Sequence, residues 1–194
     1  YGITASGTIR GFDVSSGTHT FRNNTIHSLT SSGNTVFGMD LSAGTYQSVN
    51  VTVHGNTIHN LTCSSTSAYY TYGIICSSSS TTNIYNNYIY NLKNPNGSTA
   101  PQIRALAVIS GSSHNIYYNT VYLDATSTKA NFSTAALYNS STSAMRMNNN
   151  IFVNKSVPGA SGYTVAFWKT SAGFTNINAA TDRNIYYAGT PGRG

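Results

Sequence analysis

The sequence contains no glutamate, and its four acidic residues among 194 are all aspartates. Charged residues make up 7% of the chain, against about 25% in an ordinary soluble domain. Helical bundles are rich in strong helix formers such as Glu, Lys and Arg, which are scarce here, so the composition excludes a helical bundle. An active site that needs several clustered acids is also hard to build from four scattered aspartates.

Long apolar runs and metal-binding cysteine patterns are missing as well. No run approaches the roughly 18 apolar residues that a membrane-spanning helix requires. The two cysteines, Cys63 and Cys76, do not form a C-x-x-C metal or redox pattern. The 10 lysines and arginines are scattered, without the basic cluster that is typical of nucleic-acid binding. We therefore expect no membrane span and no nucleic-acid partner.

Serine, threonine and asparagine dominate the residues that are present, with 53 Ser or Thr and 23 Asn. A polar, almost uncharged chain of this kind resembles exported surface proteins more than cytosolic enzymes, so we expect an extracellular or cell-surface location. The chain begins at Tyr1 without a targeting signal and ends in turn residues. We expect residues 1–194 to form a single segment of a longer chain or assembly.

A repeat of about 32 residues runs through the chain. Six segments align on one apolar anchor residue, with 30 to 34 residues between successive anchors. The anchors are Ile26, Ile58, Ile89, Val121, Ile151 and Ile185. Another apolar residue stands five positions before each of the first four anchors, at Phe21, Val53, Ile84 and Ile116. The fifth copy slips, because Arg146 occupies that position.

Each copy also contains a small residue followed by a short apolar run. These runs centre on Phe12, Met39, Ile74, Leu106, Leu137 and Phe167. Each period therefore holds three strand-like runs of three to five residues, separated by Ser-, Gly- and Asn-rich turns. Such runs are too short for helices, and two-residue hairpin signals between alternating runs are missing. The pattern predicts an all-β parallel β-helix, or solenoid, of about six coils with three short strands each.

Stacking of coils at about 4.8 Å would place equivalent residues in columns. Apolar columns would fill a narrow core, so few apolar residues per coil are sufficient. An asparagine column precedes the third strand of each coil, at Asn24, Asn56, Asn87, Asn119 and Asn149. Asn tolerates the left-handed conformation of a sharp corner, and its amide can donate to the Asn carbonyl one coil along. We predict a hydrogen-bonded asparagine ladder.

The segments NNTIHSL, GNTIHNL, NIYNNYIYNL and NIYYNTVYL resemble right-handed parallel β-helix repeats. More narrowly, they are similar to β-helix segments of very large surface proteins that the type IX system exports from certain Gram-negative bacteria. The resemblance covers residues 11–188, with 1–10 as a lead-in or the end of a preceding coil and 189–194 as an exit turn. It implies a right-handed coil and a surface location. It implies no particular activity, because lyases, hydrolases, adhesins and passive stalks share this fold.

Two aspartates are the candidate catalytic residues. Asp13 and Asp40 occupy the same place in consecutive copies and should point outward about 5 Å apart, close to the separation in a retaining glycosidase. The same pair could share a calcium ion. The third copy has Ile75 at this place, and we expect no basic residue or third acid beside the pair. We therefore favour a solvated or hydrogen-bonded surface pair over a catalytic or calcium site.

Aromatic side chains follow the anchors, and alternation should turn them outward as candidate ligand-binding residues. They are His27, His59, Tyr90, Tyr122, Phe152 and Tyr186. A ladder of stacked rings can bind a sugar chain or another protein, or it can simply stabilise the sheet by ring pairing between coils. His27 and His59 lack a carboxylate partner, so we predict no metal site. The other three histidines form no recognisable pattern.

Cys63 and Cys76 are a candidate disulfide that would close the loop between the second and third coils. A buried free thiol at Cys76 is the alternative.

For the whole chain, we predict a non-catalytic structural or adhesive segment. Open strand edges at its ends should meet further coils or copies of the chain stacked into a filament, and surface glycans are further candidate partners. The alternative is a carbohydrate-binding or polysaccharide-degrading module that uses the aromatic ladder with Asp13 and Asp40. We expect no cofactor other than the candidate calcium.

Overall fold

The computed structural model of the protein describes residues 2–42, 49–77, 81–98, 100–171 and 173–189. Within these ranges the chain forms β-strands and no helix. The strands pair in parallel with the equivalent strands of neighbouring coils, and the pairs form three sheets. The predicted all-β parallel solenoid is therefore confirmed.

The three sheets run along the solenoid, and each complete coil contributes one strand to each of them. Sheet A contains β1 (Ile3–Ala5), β4 (Thr25–Ser31), β7 (Thr57–Cys63), β10 (Tyr88–Lys93), β13 (Thr120–Leu123), β16 (Ile151–Asn154) and β18 (Ile185–Ala188). Sheet B contains β2 (Ile9–Asp13), β5 (Val36–Leu41), β8 (Thr71–Ser77), β11 (Ile103–Ser110), β14 (Thr134–Asn139) and β17 (Thr164–Lys169). Sheet C contains β3 (Gly17–Arg22), β6 (Val49–His54), β9 (Thr81–Tyr85), β12 (Ser113–Tyr117) and β15 (Ala144–Asn148).

Five coils are complete among the described residues, from β2–β3–β4 to β14–β15–β16. Before them, β1 belongs to a preceding coil and pairs with β4. After them, β17 and β18 belong to a sixth coil, in which Ile177 and Asp182 make only isolated bridges to sheet C. The prediction of about six coils is thus met by five complete coils and partial ones. Most of the predicted exit turn, residues 190–194, lies outside the described residues.

The core is a narrow stack of apolar columns, as the repeat predicts. Strand alternation turns one column inward from each sheet, and most of these side chains are fully buried. Those with no exposed surface are Met39, Val53, Ile58, Ile74, Ile84, Ile89, Leu106, Ile116, Val121 and Leu137. Burying one such side chain contributes about 1.5–3 kcal/mol, so a few residues per coil are enough to hold the solenoid together.

The fifth coil is shifted by one residue from the prediction. Val121 pairs with Phe152 rather than Ile151. Phe152 is fully buried, whereas Ile151 is 39% exposed. In the sixth coil Tyr186 pairs with Phe152, in the place that was predicted for Ile185. The predicted anchors at 151 and 185 are therefore wrong, because the inward register position falls on the next residue in both coils. Phe152 fills the core there, whereas Tyr186 stacks on Phe152 and stays 43% exposed.

Candidate functional site

The corner between sheets C and A carries an asparagine ladder. In each coil the Asn Nδ2 donates to the Oδ1 of the Asn one coil further along, over 2.8 to 3.0 Å. The backbone N–H of the same Asn donates to the same oxygen. The ladder residues are Asn24, Asn56, Asn87, Asn119, Asn150 and Asn184. The predicted ladder is confirmed, with Asn150 in place of Asn149 and Asn184 as an additional member.

Asn149 was predicted for the ladder, but it is not part of it. Its φ of 57° places it in the left-handed region, one residue before the ladder position. The other coils hold Asn23, Gly55, Asn86, Tyr118 and Arg183 at this left-handed corner. The prediction assigned the left-handed corner and the hydrogen bond between coils to one asparagine. In the structure, the first of two consecutive residues adopts the left-handed conformation, and the second makes the hydrogen bond to the next coil.

Asp13 and Asp40 face each other in β2 and β5, as predicted. Arg10 lies between them, with its Nε 2.7 Å from Asp40 Oδ2 and 3.7 Å from Asp13 Oδ2. The expectation of no basic neighbour is therefore wrong. Of the two forms expected for a surface pair, the hydrogen-bonded one is present at Asp40, which accepts from Arg10 and is only 5% exposed. Ser42 also donates to the Asp40 carboxylate. The guanidinium already pairs with both carboxylates and would compete with a sugar or a shared calcium ion for them, so this contact argues against both candidate sites.

The predicted aromatic column is present in the first coils as a stack of parallel rings. The rings of His27 and His59 lie 5.3 Å apart at 9°, and those of His59 and Tyr90 lie 4.8 Å apart at 4°. Tyr122 is in register with Tyr90 one coil further. His59 stacks between His27 and Tyr90, and Tyr90 also stacks on Tyr88 at 4.5 Å, whereas His27 has a ring on one face only. Most ring faces in this part of the column are therefore covered. A sugar packs against an open ring face, and the geometry therefore favours stabilisation of the sheet.

Phe152 and Tyr186 do not continue this column. Phe152 faces the core, and Tyr186 stacks on it at 5.6 Å. Val153 takes the outward position beside Tyr122, and Tyr187 follows in the last strand. The shift of one residue in the fifth coil exchanges inside and outside, because successive side chains of a strand point to opposite faces.

A metal site at the two stacked histidines has no support in the geometry. The ring nitrogen lone pairs lie in the ring planes, and the planes of His27 and His59 are almost parallel, so the lone pairs do not converge on one point. In the described part of the chain, no group of three or more His, Cys, Asp or Glu residues could hold a metal ion.

The two cysteines are buried free thiols, which matches the alternative of a buried thiol at Cys76 and not the candidate disulfide. Cys63 ends β7 in sheet A and donates to the Asn34 carbonyl over 3.1 Å. Cys76 lies in β8 of sheet B, and burial raises the pKa of its thiol to about 12. A protonated, buried thiol is a poor nucleophile, so the structure gives Cys76 a packing role.

Two polar groups that the repeat pattern missed occupy notable positions. His114 points into the core, where its Nδ1 lies 2.7 Å from Thr82 Oγ1, and burial lowers its pKa to about 4. Arg104 lies on the outer face of sheet B between two tyrosine rings, 4.4 Å from Tyr70 and 3.9 Å from Tyr138. Arg104 shares its column with Arg10 three coils earlier, and His114 shares its column with His19, but the coils between them hold uncharged or aromatic residues there. Neither column therefore gives a regular repeat signal.

Comparison with known proteins gives a family but no individual relative. No curated protein and no solved structure matches the chain. None of the residue ranges that the structure describes forms a helix long and apolar enough to span a membrane. The chain does match the family described as right-handed β-helix region, over residues 5–181. The parallel three-sheet coil and the asparagine ladder agree with that match, and the chain belongs to the right-handed β-helix family.

Proposed function

We propose that this β-helix is a non-catalytic structural or adhesive segment of an extracellular or cell-surface protein. The observation that carries the proposal is the unbroken asparagine ladder between Asn24 and Asn184. Each hydrogen bond of the ladder contributes about 1 kcal/mol net, and the bonds reinforce one another in a buried chain. Consecutive coils are thereby joined by polar bonds as well as by apolar contacts, which suits a stiff spacer.

The surface location rests on composition and on motif similarity. The chain is rich in Ser, Thr and Asn and carries almost no acidic residues. Its repeats are similar to those of type IX-exported surface proteins. Protease treatment of intact cells of the source organism tests this location: the segment should be cleaved without lysis. Cleavage only after lysis would contradict it.

Neighbouring coils or further copies of the chain are the proposed partners. In the described residues, β18 has one unpaired edge, and Ile185 and Tyr187 beside it are 56% and 49% exposed. An open strand edge with exposed apolar side chains readily pairs with another strand. Stacking into a filament is one form of this pairing.

A carbohydrate-binding or polysaccharide-degrading module that uses Asp13, Asp40 and the stacked rings is the alternative, and it has no better support. The carboxylates are occupied by Arg10. The stacked rings cover one another. Neither group of residues therefore offers an open site for this function.

Single-molecule pulling from the two ends tests the structural role. Each coil contacts its immediate neighbours, so the coils should release one at a time. One coil of 31 or 32 residues adds about 100 Å of extended chain. The variant Asn87→Ala should lower the force of the corresponding step. Release of the whole chain at forces typical of a loosely packed domain, with no effect of Asn87→Ala, would contradict the role.

A further inference from the structure

A polar cleft opens on the outside of the last coils, at the corner between sheets C and A. Its volume is about 350 Å³, and its lining residues are Tyr117, Tyr118, Arg146, Asn148, Asn149 and Arg183. The cleft is remote from Asp13 and Asp40, which lie in the first two coils, and from the stacked rings on the face of sheet A. It belongs to neither of the sites that the repeat pattern suggested.

Two of the lining residues have an unfavourable backbone conformation. Tyr118 and Arg183 have φ values of 55° and 56° at the left-handed corner, where the other coils hold Asn or Gly. Asn and Gly adopt this conformation readily, whereas other L-residues are strained there. Strained residues persist mainly where their side chains serve a function. Both of these line the same cleft, although Asn at either position would relieve the strain.

The cleft also has an excess of positive charge. Arg146 donates from Nε to Asn148 Oδ1 over 3.2 Å, and its guanidinium lies 5.9 Å from the Tyr117 ring. The Nε of Arg183 lies 3.4 Å from Asp182 Oδ2, which is the one carboxylate in contact with either arginine among the described residues. The cleft thus holds two guanidinium groups and one carboxylate that pairs with Arg183 alone, on a chain whose net charge is +6. Arginine N–H groups bind oxyanions through charge-assisted hydrogen bonds.

An open aromatic ring lies beside these arginines. Tyr118 is 58% exposed, and within the described ranges no other ring stacks on it, in contrast to His27, His59 and Tyr90. Its face is therefore free to pack against a sugar ring. A nucleic acid would need a row of basic residues along its phosphates, and the ten basic residues of this chain form no such row.

We propose that this cleft binds an oxyanion group carried on a sugar polymer, with Arg146 and Arg183 holding the anion and Tyr118 packing against the adjacent sugar. The inference deepens the adhesive part of the proposed function and rests on it. Carboxylate, sulfate and phosphate groups share the chemistry that two guanidinium groups recognise, and the experiment separates them.

Calorimetric titration with four dextrans tests the proposal: carboxymethylated, sulfated, phosphorylated and unmodified. The protein should bind at least one anionic polymer and not the unmodified one. Arg146→Gln and Arg183→Asn should each weaken binding at least tenfold, and Tyr118→Asn about threefold or more. The control Arg22→Gln removes the same charge from an exposed position in β3, far from the cleft, and should leave the affinity within twofold.

Thermal unfolding supplies an independent readout. Tyr118→Asn and Arg183→Asn should raise the midpoint by about 2–4 °C, since Asn relieves the left-handed strain. A variant that binds more weakly but unfolds at a higher temperature would show that the strained residue stabilises the complex and not the fold.

Three results would overturn the site: no binding to any anionic dextran, equal binding to the unmodified polymer, or a loss in Arg22→Gln as large as in the cleft variants. Such a failure would leave the structural role standing, because the pulling experiment tests that role without any ligand.

Discussion

Replacing Asn150 by alanine should destabilise the fold far more than replacing the adjacent Asn149 by glycine. Asn150 Nδ2 donates to the Ile116 carbonyl and to Asn184 Oδ1, each over 2.8 Å. Its Oδ1 accepts from the backbone N–H and from Nδ2 of Asn119, over 2.9 and 3.0 Å. The substitution removes all four hydrogen bonds in a place that water does not reach.

The cost follows from the groups that are left without partners. The Asn119 N–H loses its acceptor in a fully buried corner, which costs about 1–3 kcal/mol. The Asn119 side chain keeps its bonds to the Ile84 and Tyr117 carbonyls, so its loss is smaller. The two hydrogen bonds that Asn150 donates are lost as well. We therefore expect Asn150→Ala to lower the free energy of unfolding by about 3–5 kcal/mol in total.

Urea unfolding followed by circular dichroism measures this difference, and Asn149→Gly is the matched control. Glycine tolerates the left-handed φ of 57° at position 149, so the control should stay within about 0.5 kcal/mol of the parent chain. A cost below about 1 kcal/mol for Asn150→Ala, or an equal cost for both variants, would show that the ladder does not run through Asn150.

Three further outcomes are expected. Burial lowers the pKa of His114 to about 4 from its ordinary 6.5, so on acidification the unfolded chain is protonated at this residue before the folded chain is. Lowering the pH from 7 to 4 should therefore reduce the free energy of unfolding by about 3 kcal/mol. A His114→Leu variant that keeps this loss would contradict the prediction. Intact mass under non-reducing conditions should show free thiols at Cys63 and Cys76, with alkylation only after unfolding; a mass two hydrogens lower would contradict it. Ile89→Asp should cost several kcal/mol, because it buries an unpaired charge, and a melting temperature equal to that of the parent chain would refute the core position.

The repeat period predicted the fold well, because a parallel solenoid keeps each residue type in one column. The anchors Ile26, Ile58, Ile89 and Val121 pair with one another in register, as their spacing predicted. Apolar side chains five residues earlier fill the inward column of sheet C. Because successive side chains of a strand point to opposite faces, the register of one residue then tells which side chains face the core and which face solvent.

The register of the fifth coil was predicted wrongly because any of three consecutive asparagines, 148–150, could take the ladder position. Ile151 was the more obvious anchor, yet a usable signal was present in the sequence. Met147 stands five residues before Phe152, as Ile116 stands five before Val121, and Ile116 pairs with Met147. The spacing rule, applied strictly, selects Phe152 and with it Asn150.

Other features of the candidate sites depend on side-chain reach, which a period does not encode. Arg10 pairs in register with Phe37, yet its long side chain crosses to the aspartates of the adjacent column. His114 is polar but takes an inward position beside Thr82. The left-handed corner holds Asn or Gly in four of six coils, but Tyr118 and Arg183 interrupt the column.

The most direct test of a non-catalytic role is a reducing-sugar assay of the intact chain on a panel of neutral and acidic polysaccharides. Asp40→Asn serves as the matched variant, since Asp40 is the buried member of the carboxylate pair. We expect no sugar release above the buffer blank from either protein, even after long incubation. Release by the parent chain that Asp40→Asn abolishes would show a catalytic β-helix and contradict the structural role.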